Sequence, residues 1–307
     1  MKKNIYSTIV VVIVLFLTFT INAQKKSDYI YLSGTKFTYP LIQQWVNEYT
    51  KIHPSAHIKI QNVKQANDST NIKIVAHPLA PGEIKAGEEV FNVSRFALLP
   101  ITNVRNIEPK IAFKKGITQE ELKKLFFIDP LSVLENDDKK QPQLTVYTRA
   151  NQACSSISFA NHFGQNFGGI KGKKISGDDQ FLIVAVQKDS TGITYNNLGY
   201  IYDLTNRTPI KGIKIIPIDI NENGKIDKEE QIYDNLDKLT AYLDNNQNNK
   251  SIPEDNVSFI LDKNKENALT TDFINWILSD GQKYTHQYGF LNNLKENNTQ
   301  ISQNITR

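Results

Sequence analysis

The chain has one cysteine, Cys154, among its 307 residues. A single cysteine excludes any disulfide within the chain, even in an oxidising compartment. Histidine is also scarce, and His53, His57 and His286 show no metal-ligand spacing between them. Stability therefore has to come from packing and hydrogen bonds, supplemented by any ion that the chain binds.

Net charge is the second thing that the sequence lacks. Residues 1–23 carry only Lys2 and Lys3, so the remaining 284 residues hold 34 basic and 32 acidic side chains, a net charge of +2. This balance provides no extended positive field for nucleic acid or for an anionic membrane surface. We expect no nucleic-acid partner. A segment of this length is sufficient for one large or two ordinary domains.

The first 23 residues have the pattern of a secretory signal peptide. Lys2 and Lys3 precede an apolar run over residues 9–19, and Ala23 marks the expected cleavage position. An uncleaved membrane anchor is the alternative, although the run is shorter than a spanning helix requires. No cysteine lies near the cleavage region, which excludes a lipoprotein anchor. We expect an exported protein, either periplasmic or secreted.

Residues 219–230 read DINENGKIDKEE and match the Ca²⁺ loop of EF-hand and dockerin-type sites. Ca²⁺ takes about six to eight oxygen ligands, and the sharp turn of the loop requires glycine at its sixth position, here Gly224. A plain polar turn rich in Asn and Gly is the alternative. We expect Ca²⁺ to bind through the side chains of Asp219, Asn221, Asn223, Asp227 and Glu230 and the backbone carbonyl of Lys225.

Strand and helix patterns alternate along the chain and predict an α/β fold, organised in two lobes. Residues 29–32 read as a strand, residues 40–52 as an amphipathic helix, and the alternation after Pro54 as a second strand. This is the β-α-β unit of a parallel sheet. Further strands are predicted at 144–148, 213–216 and 257–261, and further helices at 118–125, 153–163, 232–243 and 269–288.

Two strand-to-helix turns, residues 33–38 and 149–156, have small or hydroxyl side chains just before a helix. Free backbone N–H groups and the positive end of the helix dipole favour anions at such a place. Lys36 and Arg149 add full positive charge, and arginine can hold an oxyanion with two N–H donors. Each turn taken alone is equally an ordinary helix start with solvated basic neighbours. With both turns present in one chain, an anion site and two ordinary helix caps are about equally favoured.

A cysteine nucleophile is the catalytic alternative. Cys154 would react, with His77 or His162 as its base. A lone cysteine beside a helix start is more often a small packed residue, and no base or orienting acid has a recognisable spacing. The sequence therefore predicts that the chain is not an enzyme.

Several motifs, in order, resemble the phosphate-binding subunits of ABC phosphate importers (PstS-like periplasmic binding proteins). GTKFTYPLIQQWVNEYTKIHP is similar to the Gly-x-x-Phe-x-x-Pro turn and first helix of that family, and ITQEELKKLFF to a later short helix. VYTRANQACSSISFANHF is similar to the family's Arg-x-Asp-Gly-Ser-Gly-Thr anion loop. The segments GDD from Gly177, GITY from Gly192, NVSFIL and FINWILSDGQKYTHQYGFL resemble later elements.

The resemblance covers nearly all of the chain after residue 23 and implies a two-lobed flytrap fold of type II. Lobe I would comprise residues 24–100 and 255–307, and lobe II residues 101–254 with the Ca²⁺ loop. Each lobe would be a mainly parallel sheet flanked by helices. The motifs are degenerate, and the Ca²⁺ loop is an addition to the family pattern.

The resemblance also implies which residues bind the ligand. The first turn would contribute Lys36, Phe37 and Thr38, and the second turn Arg149 as the clamp with Cys154 and Ser155. Ala153, Asn151 and Gln152 depart from the Ser, Asp and Gly of the family motif. His77 stands where the family has an aspartate that accepts a proton from phosphate, which weakens the expectation of strict phosphate selectivity.

The expected function is capture of phosphate or a related oxyanion between two closing lobes, followed by delivery to an ABC permease. We expect a monomer. The rival interpretation is a secreted Ca²⁺-dependent adhesion or scaffold module on a degenerate binding fold. Ala153 and His77 favour the rival, whereas Arg149 and the hydroxyl-rich turns favour the binder.

Overall fold

The computed structural model describes residues 29–62, 70–106, 115–128, 144–247 and 250–293. The strands are β1 Tyr29–Gly34, β2 His57–Ile60, β3 Ile72–Val75, β4 Glu88–Asn103, β5 Thr145–Arg149, β6 Lys173–Ile175, β7 Gly192–Asn197, β8 Ile213–Ile215 and β9 Glu254–Asp262. The helices are α1 Tyr39–Ile52, α2 Gln119–Phe126, α3 Cys154–His162, α4 Gln180–Lys188, α5 Leu198–Ile201, α6 Leu236–Asn245 and α7 Ala268–Leu278. The predicted signal peptide, residues 1–23, lies outside the described residues.

The described strands form one continuous mixed sheet in the order β2-β1-β3-β9-β4-β7-β5-β6, with β8 also paired to β4. β1 is parallel to β2 and β3, and β5 is parallel to β6 and β7. The central strands β4 and β9 are antiparallel to each of their neighbours. The α/β prediction is confirmed, and the expectation of mainly parallel sheets needs correction because the centre of the sheet is antiparallel.

Strand β4 is sixteen residues long and joins the two halves of the sheet. Its first part pairs with β9 as far as Ala97, and its last part pairs with β7 from Leu98 onward. The sequence patterns did not predict this strand, because Pro100 lies within it and proline removes a ladder hydrogen bond. The predicted lobe boundaries at residues 100 and 254 fall in β4 and at the start of β9, and the division into lobes stays a prediction.

Two aromatic clusters anchor the helices against the sheet. Trp45 of α1 is fully buried, and its indole Nε1 donates to the carbonyl of Gly281 at 2.8 Å. In the other half of the molecule Phe159 of α3 stacks on Tyr195 of β7, with ring centroids 3.8 Å apart, and Phe126 meets Phe159 edge on. Stacked aromatic rings in a buried position hold a helix in a defined orientation. The first turn of α3 is thereby fixed relative to the sheet.

Capping side chains determine where the helices α2 and α6 begin. Thr118 and Glu121 form the predicted capping box at the start of α2. The helix predicted from residue 232 begins only at Leu236, because the side chain of Asn235 accepts from the N–H groups of Asp237 and Lys238. In the described part of the chain, no helix combines the length and apolar character needed to cross a membrane.

Candidate functional site

A cavity of about 160 Å³ lies between the turn after β1 and the start of α3. Its walls come from both turns that the sequence analysis singled out, together with the segment before α4 and one residue of α5. The lining residues are Thr35, Lys36, Phe37, Arg149, Ala153, Cys154, Ser155, Asp178, Asp179 and Tyr200. The fold therefore brings two predicted turns that are more than a hundred residues apart to one place.

The predicted site residues are not all placed at this cavity. Lys36, Phe37, Arg149, Cys154 and Ser155 line it, whereas Thr38 and His77 are not among the lining residues. Thr38 is fully buried, and its hydroxyl donates to the carbonyl of Thr35 at 2.6 Å. Thr38 thus stabilises the first turn from within, and its role as a ligand contact stays a prediction.

The first turn depends on Gly34. Its φ of +148° and its position against β3 leave no room for a side chain, because a Cβ would lie 2.0 Å from the carbonyl oxygen of Ile74. The next residue, Thr35, donates from its backbone N–H to the same oxygen at 3.1 Å. The hydroxyl of Tyr39 bonds to both the N–H and the carbonyl of Gly34. These contacts hold the turn before Lys36 in place at the edge of the cavity.

An ion pair that the sequence patterns did not predict joins the second turn to the segment before α4. The guanidinium Nη1 of Arg149 lies 2.6 Å from Oδ1 of Asp179, and the hydroxyl of Ser155 donates to Oδ2 at 2.9 Å. The Arg149 and Asp179 side chains are only 14% and 7% exposed. Asp179 thus already engages two groups that were predicted to hold an anion. Within the described residues, the buried Nε of Arg149 has no hydrogen-bond partner.

The start of α3 also offers backbone donors. Ala153 precedes the helix and supplies no capping side chain. The first N–H groups of an α-helix have no acceptor within the helix itself. Cys154 and Ser155, the first two residues of this helix, line the cavity, so their N–H groups are candidate donors for a ligand.

Cys154 is the centre of a hydrogen-bonded chain of side chains. Its sulfur lies 3.1 Å from the Thr35 hydroxyl and 3.2 Å from Nδ1 of His77. The other ring nitrogen of His77, Nε2, lies 2.9 Å from Oε1 of Glu83. Glu83 in turn accepts through Oε2 from the N–H of Ala80 at 3.1 Å. Short contacts thus connect a thiol, an imidazole and a carboxylate, in that order.

The hydrogen bonds among these side chains change the pKa values of His77 and Cys154. The hydrogen bond to Cys154 raises the pKa of His77 against the lowering effect of burial, and Glu83 adds to the rise. Burial alone would raise the pKa of the Cys154 thiol, but hydrogen bonds from His77 and Thr35 outweigh it and lower that pKa below the ordinary value. Both changes favour a thiolate beside an imidazolium.

These contacts bear on two sequence-based predictions. In this structure both ring nitrogens of His77 are engaged, one with Cys154 and one with Glu83, and its contact with a ligand stays a prediction. The sequence analysis found no recognisable spacing between Cys154 and a base or an orienting acid, and the structure places His77 and Glu83 beside Cys154 in that order. Glu83 lies in a turn-rich segment six residues after His77 and 71 residues before Cys154. No local spacing pattern connects residues that only tertiary packing brings together.

The segment predicted to bind Ca²⁺ closes on its own backbone. Gly224 has the positive φ, +86°, expected at the sixth loop position. The Asp219 carboxylate accepts from the N–H groups of Asn223 and Gly224, at 3.2 and 2.7 Å. The Glu230 carboxylate accepts from the N–H groups of Ile220 and Asp227, at 2.8 and 2.9 Å. Asp219 and Glu230 are 0% and 3% exposed, so two carboxylates are buried in this loop.

The side chains of the remaining residues in the predicted Ca²⁺ loop contact one another. The side-chain amide nitrogens of Asn221 and Asn223 lie 3.1 and 2.6 Å from Oδ2 of Asp227, and Lys225 Nζ lies 2.8 Å from Oδ1. The Lys225 contact and these two amides lower the pKa of Asp227 to about 2. Across the described ranges, no group of three or more His, Cys, Asp or Glu is arranged to hold a metal ion. Ca²⁺ binding therefore stays a prediction.

Comparison with known proteins finds similar solved structures but no sequence match. No protein-family model matches the chain, and no curated protein matches it by sequence. Among solved structures, it is similar to a putative phosphate ABC transporter substrate-binding protein with bound phosphate from Clostridium perfringens. That match has a TM-score of 0.63 and 15% identity, over 87% of this chain and 100% of the other.

Two further solved structures share the fold. An ABC-type phosphate transport receptor from Vibrio cholerae matches with a TM-score of 0.57 and 14% identity, over 85% of this chain and 99% of that chain. The regulatory domain of CcmR from Synechocystis, in complex with 2-PG, matches with a TM-score of 0.51 and 12% identity, over 83% and 97%. The shared fold is thus that of two-lobed binding proteins, and it also serves regulatory domains. Ligand and activity have to be argued from this chain's own residues.

Proposed function

We propose that this protein is a solute-binding protein that holds a small oxyanion, phosphate or a close analogue, in the cavity between residues 33–38 and 149–156. The cavity itself carries the proposal. It is lined by Lys36, Arg149 and the first two residues of α3, whose N–H groups have no acceptor within the helix. Oriented backbone donors and a guanidinium are the groups that bind oxyanions in proteins. A solved structure with this fold contains bound phosphate.

The aspartates in the cavity favour phosphate over sulfate. A protonated oxyanion such as hydrogen phosphate can donate its O–H to a carboxylate, whereas sulfate carries no proton at neutral pH. Asp179, with Asp178 beside it, supplies an acceptor at the cavity wall. The sequence analysis expected weak selectivity because His77 replaces an aspartate, and Asp179 offers a substitute from another part of the chain.

Capture would proceed by closure of the two halves of the molecule around the anion, with β4 and β9 as the shared strands. The liganded, closed form would then dock on the membrane subunits of an ABC importer. The protein would act outside the cytoplasm as a monomer, after cleavage near Ala23. The two neighbours described as phosphate transport proteins motivate this transport role.

Ca²⁺ at residues 219–230 would be a stabilising ion and not part of the anion site. Support comes from the buried carboxylates of Asp219 and Glu230, because buried negative charges need a cation or strong donors. Ile226 of the loop is half-buried beside Gly116. None of the residues of the loop is among those that line the anion cavity.

Calorimetric titration of the purified protein tests the proposal. We expect saturable binding of phosphate and arsenate, weaker binding of sulfate, and a higher melting temperature with the anions that bind. The Lys51→Ala variant, which removes an exposed lysine from α1, is the control for a lost surface charge. If none of these anions produces heat or a change in melting temperature, the cavity does not capture oxyanions, and a scaffold role is favoured.

A further inference from the structure

Cys154, His77 and Glu83 have the arrangement of a nucleophile, its base and an orienting acid. The sulfur is 3.2 Å from one ring nitrogen of His77, and the other ring nitrogen is 2.9 Å from Glu83. Catalysis by an activated nucleophile requires this order of contacts. We propose that Cys154 is a catalytic nucleophile that attacks small acyl esters or thioesters in the cavity, with His77 as its proton carrier and Glu83 as the positioning residue.

The surroundings favour the ionised form of the pair. Thr35 and the backbone of Ala76 form hydrogen bonds with the sulfur in addition to His77, and they lower the pKa of the thiol. Two other charged groups act on the triad from neighbouring segments. Asp255 interacts with His77 by charge, and Lys73 interacts with Glu83. The thiolate is the reactive form of cysteine, so this environment raises its reactivity near neutral pH.

The nucleophile is accessible. Cys154 is half-buried and lines the cavity, and Nδ1 of His77 lies 3.2 Å from its sulfur. The formal charges of Lys36 and Arg149 are balanced by those of Asp178 and Asp179, so the cavity walls carry no net charge apart from the Cys154–His77 pair. A volume of about 160 Å³ admits a short acyl group but not a polymer. The cavity therefore admits a small acyl compound, including an uncharged one.

The start of α3 provides the donors for the developing negative charge. Cys154 is the first residue of a nine-residue helix, so its own N–H and that of Ser155 have no acceptor within the helix. When the thiolate attacks a carbonyl carbon, the negative charge moves to the carbonyl oxygen. Backbone N–H groups close to that oxygen stabilise the tetrahedral intermediate, and this is usually the largest electrostatic contribution to such a reaction.

The reaction balances with water as the only co-reactant. The Cys154 sulfur forms a bond to the carbonyl carbon, the bond to the leaving group breaks, and His77 gives its Nδ1 proton to the departing alkoxide or thiolate. Neutral His77 then takes a proton from water, and the resulting hydroxide attacks the acyl-cysteine. The carbon–sulfur bond breaks, which restores the thiolate and the imidazolium and releases a carboxylate and a proton. No electrons are gained or lost.

This activity does not depend on the capture of an oxyanion. A neutral ester can acylate Cys154 whether or not phosphate binds, and phosphate can bind to a protein whose thiol is unreactive. Calorimetry with phosphate therefore tests the proposed oxyanion capture, and acylation by a neutral ester tests the proposed nucleophile. Either proposal can fail without the other.

The first experiment measures the rate of alkylation by iodoacetamide as a function of pH. Because Cys154 is the only cysteine, the label reports on one site. We expect the rate to rise at a pH below the ordinary thiol value of about 8.5. The His77→Asn variant should move this midpoint upward, and Glu83→Gln should move it by less, which a purely structural role would not do. A wild-type midpoint at or above the ordinary value would overturn the proposal.

The second experiment uses p-nitrophenyl acetate as the acyl donor. Wild-type protein should release a burst of about one equivalent of nitrophenol, carry an acetyl group on Cys154 in the mass spectrum, and then turn over. Cys154→Ser should lose the burst, and His77→Asn should retain the acetyl group for longer. The measurements on wild-type protein stand even if a variant fails to fold. The proposal is wrong if only lysines are acetylated. It is also wrong if the Cys154 thiol reacts with hydrogen peroxide but not with the ester.

Discussion

The guanidinium of Arg149 and the carboxylate of Asp179 form an ion pair, with Nη1 and Oδ1 2.6 Å apart, in the wall of the cavity. The pair joins the end of β5 to the segment just before α4, so residues thirty positions apart share one site. Arginine is therefore held in place before any ligand arrives, and its binding partner in the free protein is a carboxylate that an incoming anion has to share. This relationship decides how substitutions in the site should behave.

Replacing Arg149 with alanine should abolish oxyanion binding. The change removes a charged donor from a largely buried position, and it leaves Asp179 as an unbalanced negative charge that repels anions. The loss should correspond to about 2 to 5 kcal/mol of binding free energy. Lys36→Ala should lose less, because the Lys36 side chain is 56% exposed. Calorimetric titration with phosphate measures both variants, and equal losses would show that the Lys36 side chain is as important as Arg149.

Asp179→Asn should reduce the preference for phosphate over sulfate. The asparagine amide can donate to either anion, but its oxygen is a weaker hydrogen-bond acceptor than a carboxylate. Phosphate therefore loses the acceptor for its O–H. Sulfate loses only a charge that repelled it. We expect the ratio of the two dissociation constants to fall by roughly tenfold or more, or about 1.4 kcal/mol. Asp178→Asn is the matched control, since its side chain is mainly exposed. An unchanged ratio in Asp179→Asn would locate the selectivity elsewhere.

Ca²⁺ should stabilise the protein through residues 219–230. A ligand that binds only the folded state at a hundredfold excess over its dissociation constant adds about 2.7 kcal/mol to the free energy of unfolding. The melting temperature should therefore be higher in millimolar Ca²⁺ than in chelator. Asp219→Asn combined with Glu230→Gln should remove this difference, and Asp234→Asn, which changes an exposed aspartate outside the loop, should keep it. Identical melting curves in Ca²⁺ and chelator would show that the segment is a plain turn.

His162 should make the protein sensitive to acid. Burial lowers the pKa of His162 to about 4. Because this value lies below the unfolded pKa of about 6.5, the neutral imidazole contributes stability that is fully present above pH 6.5 and is lost as the pH falls toward 4. His162→Gln should reduce that loss, on the order of 1 kcal/mol after allowance for solvent screening. Urea unfolding at pH 7 and pH 5 measures the effect, with the exposed His57→Gln as control.

Gly34→Ala should destabilise the protein and disturb the site together. A Cβ at residue 34 would clash with the backbone of Ile74, so β1 and β3 would have to separate beside the first turn. We expect a loss of roughly 3 kcal/mol or more in the free energy of unfolding. Gly164→Ala is the control, because Gly164 also has a positive φ but nothing lies within 4 Å of a Cβ there. That variant should lose only about 1 to 2 kcal/mol. Similar losses would contradict a steric role for Gly34.

Local patterns predicted much of the fold. The amphipathic run at residues 40–52 became α1, the capping box at Thr118 starts α2, and the strand predicted at 144–148 became β5. The long strand β4 was missed, because Pro100 and the polar residues around its apolar centre hide the pattern of a buried strand. Its place in the middle of the sheet is decided by pairing with β7, β8 and β9, which lie far away along the chain.

The sequence by itself determined the two turns that build the cavity, since glycine, hydroxyl and basic residues before a helix reflect local backbone requirements. Only the tertiary structure decided what lies between the turns. It placed Asp179 beside Arg149, His77 beside Cys154 and Glu83 beside His77. Contacts of this kind join residues from separate strands and loops. They depend on how the sheet is ordered, and no spacing along the chain encodes that order.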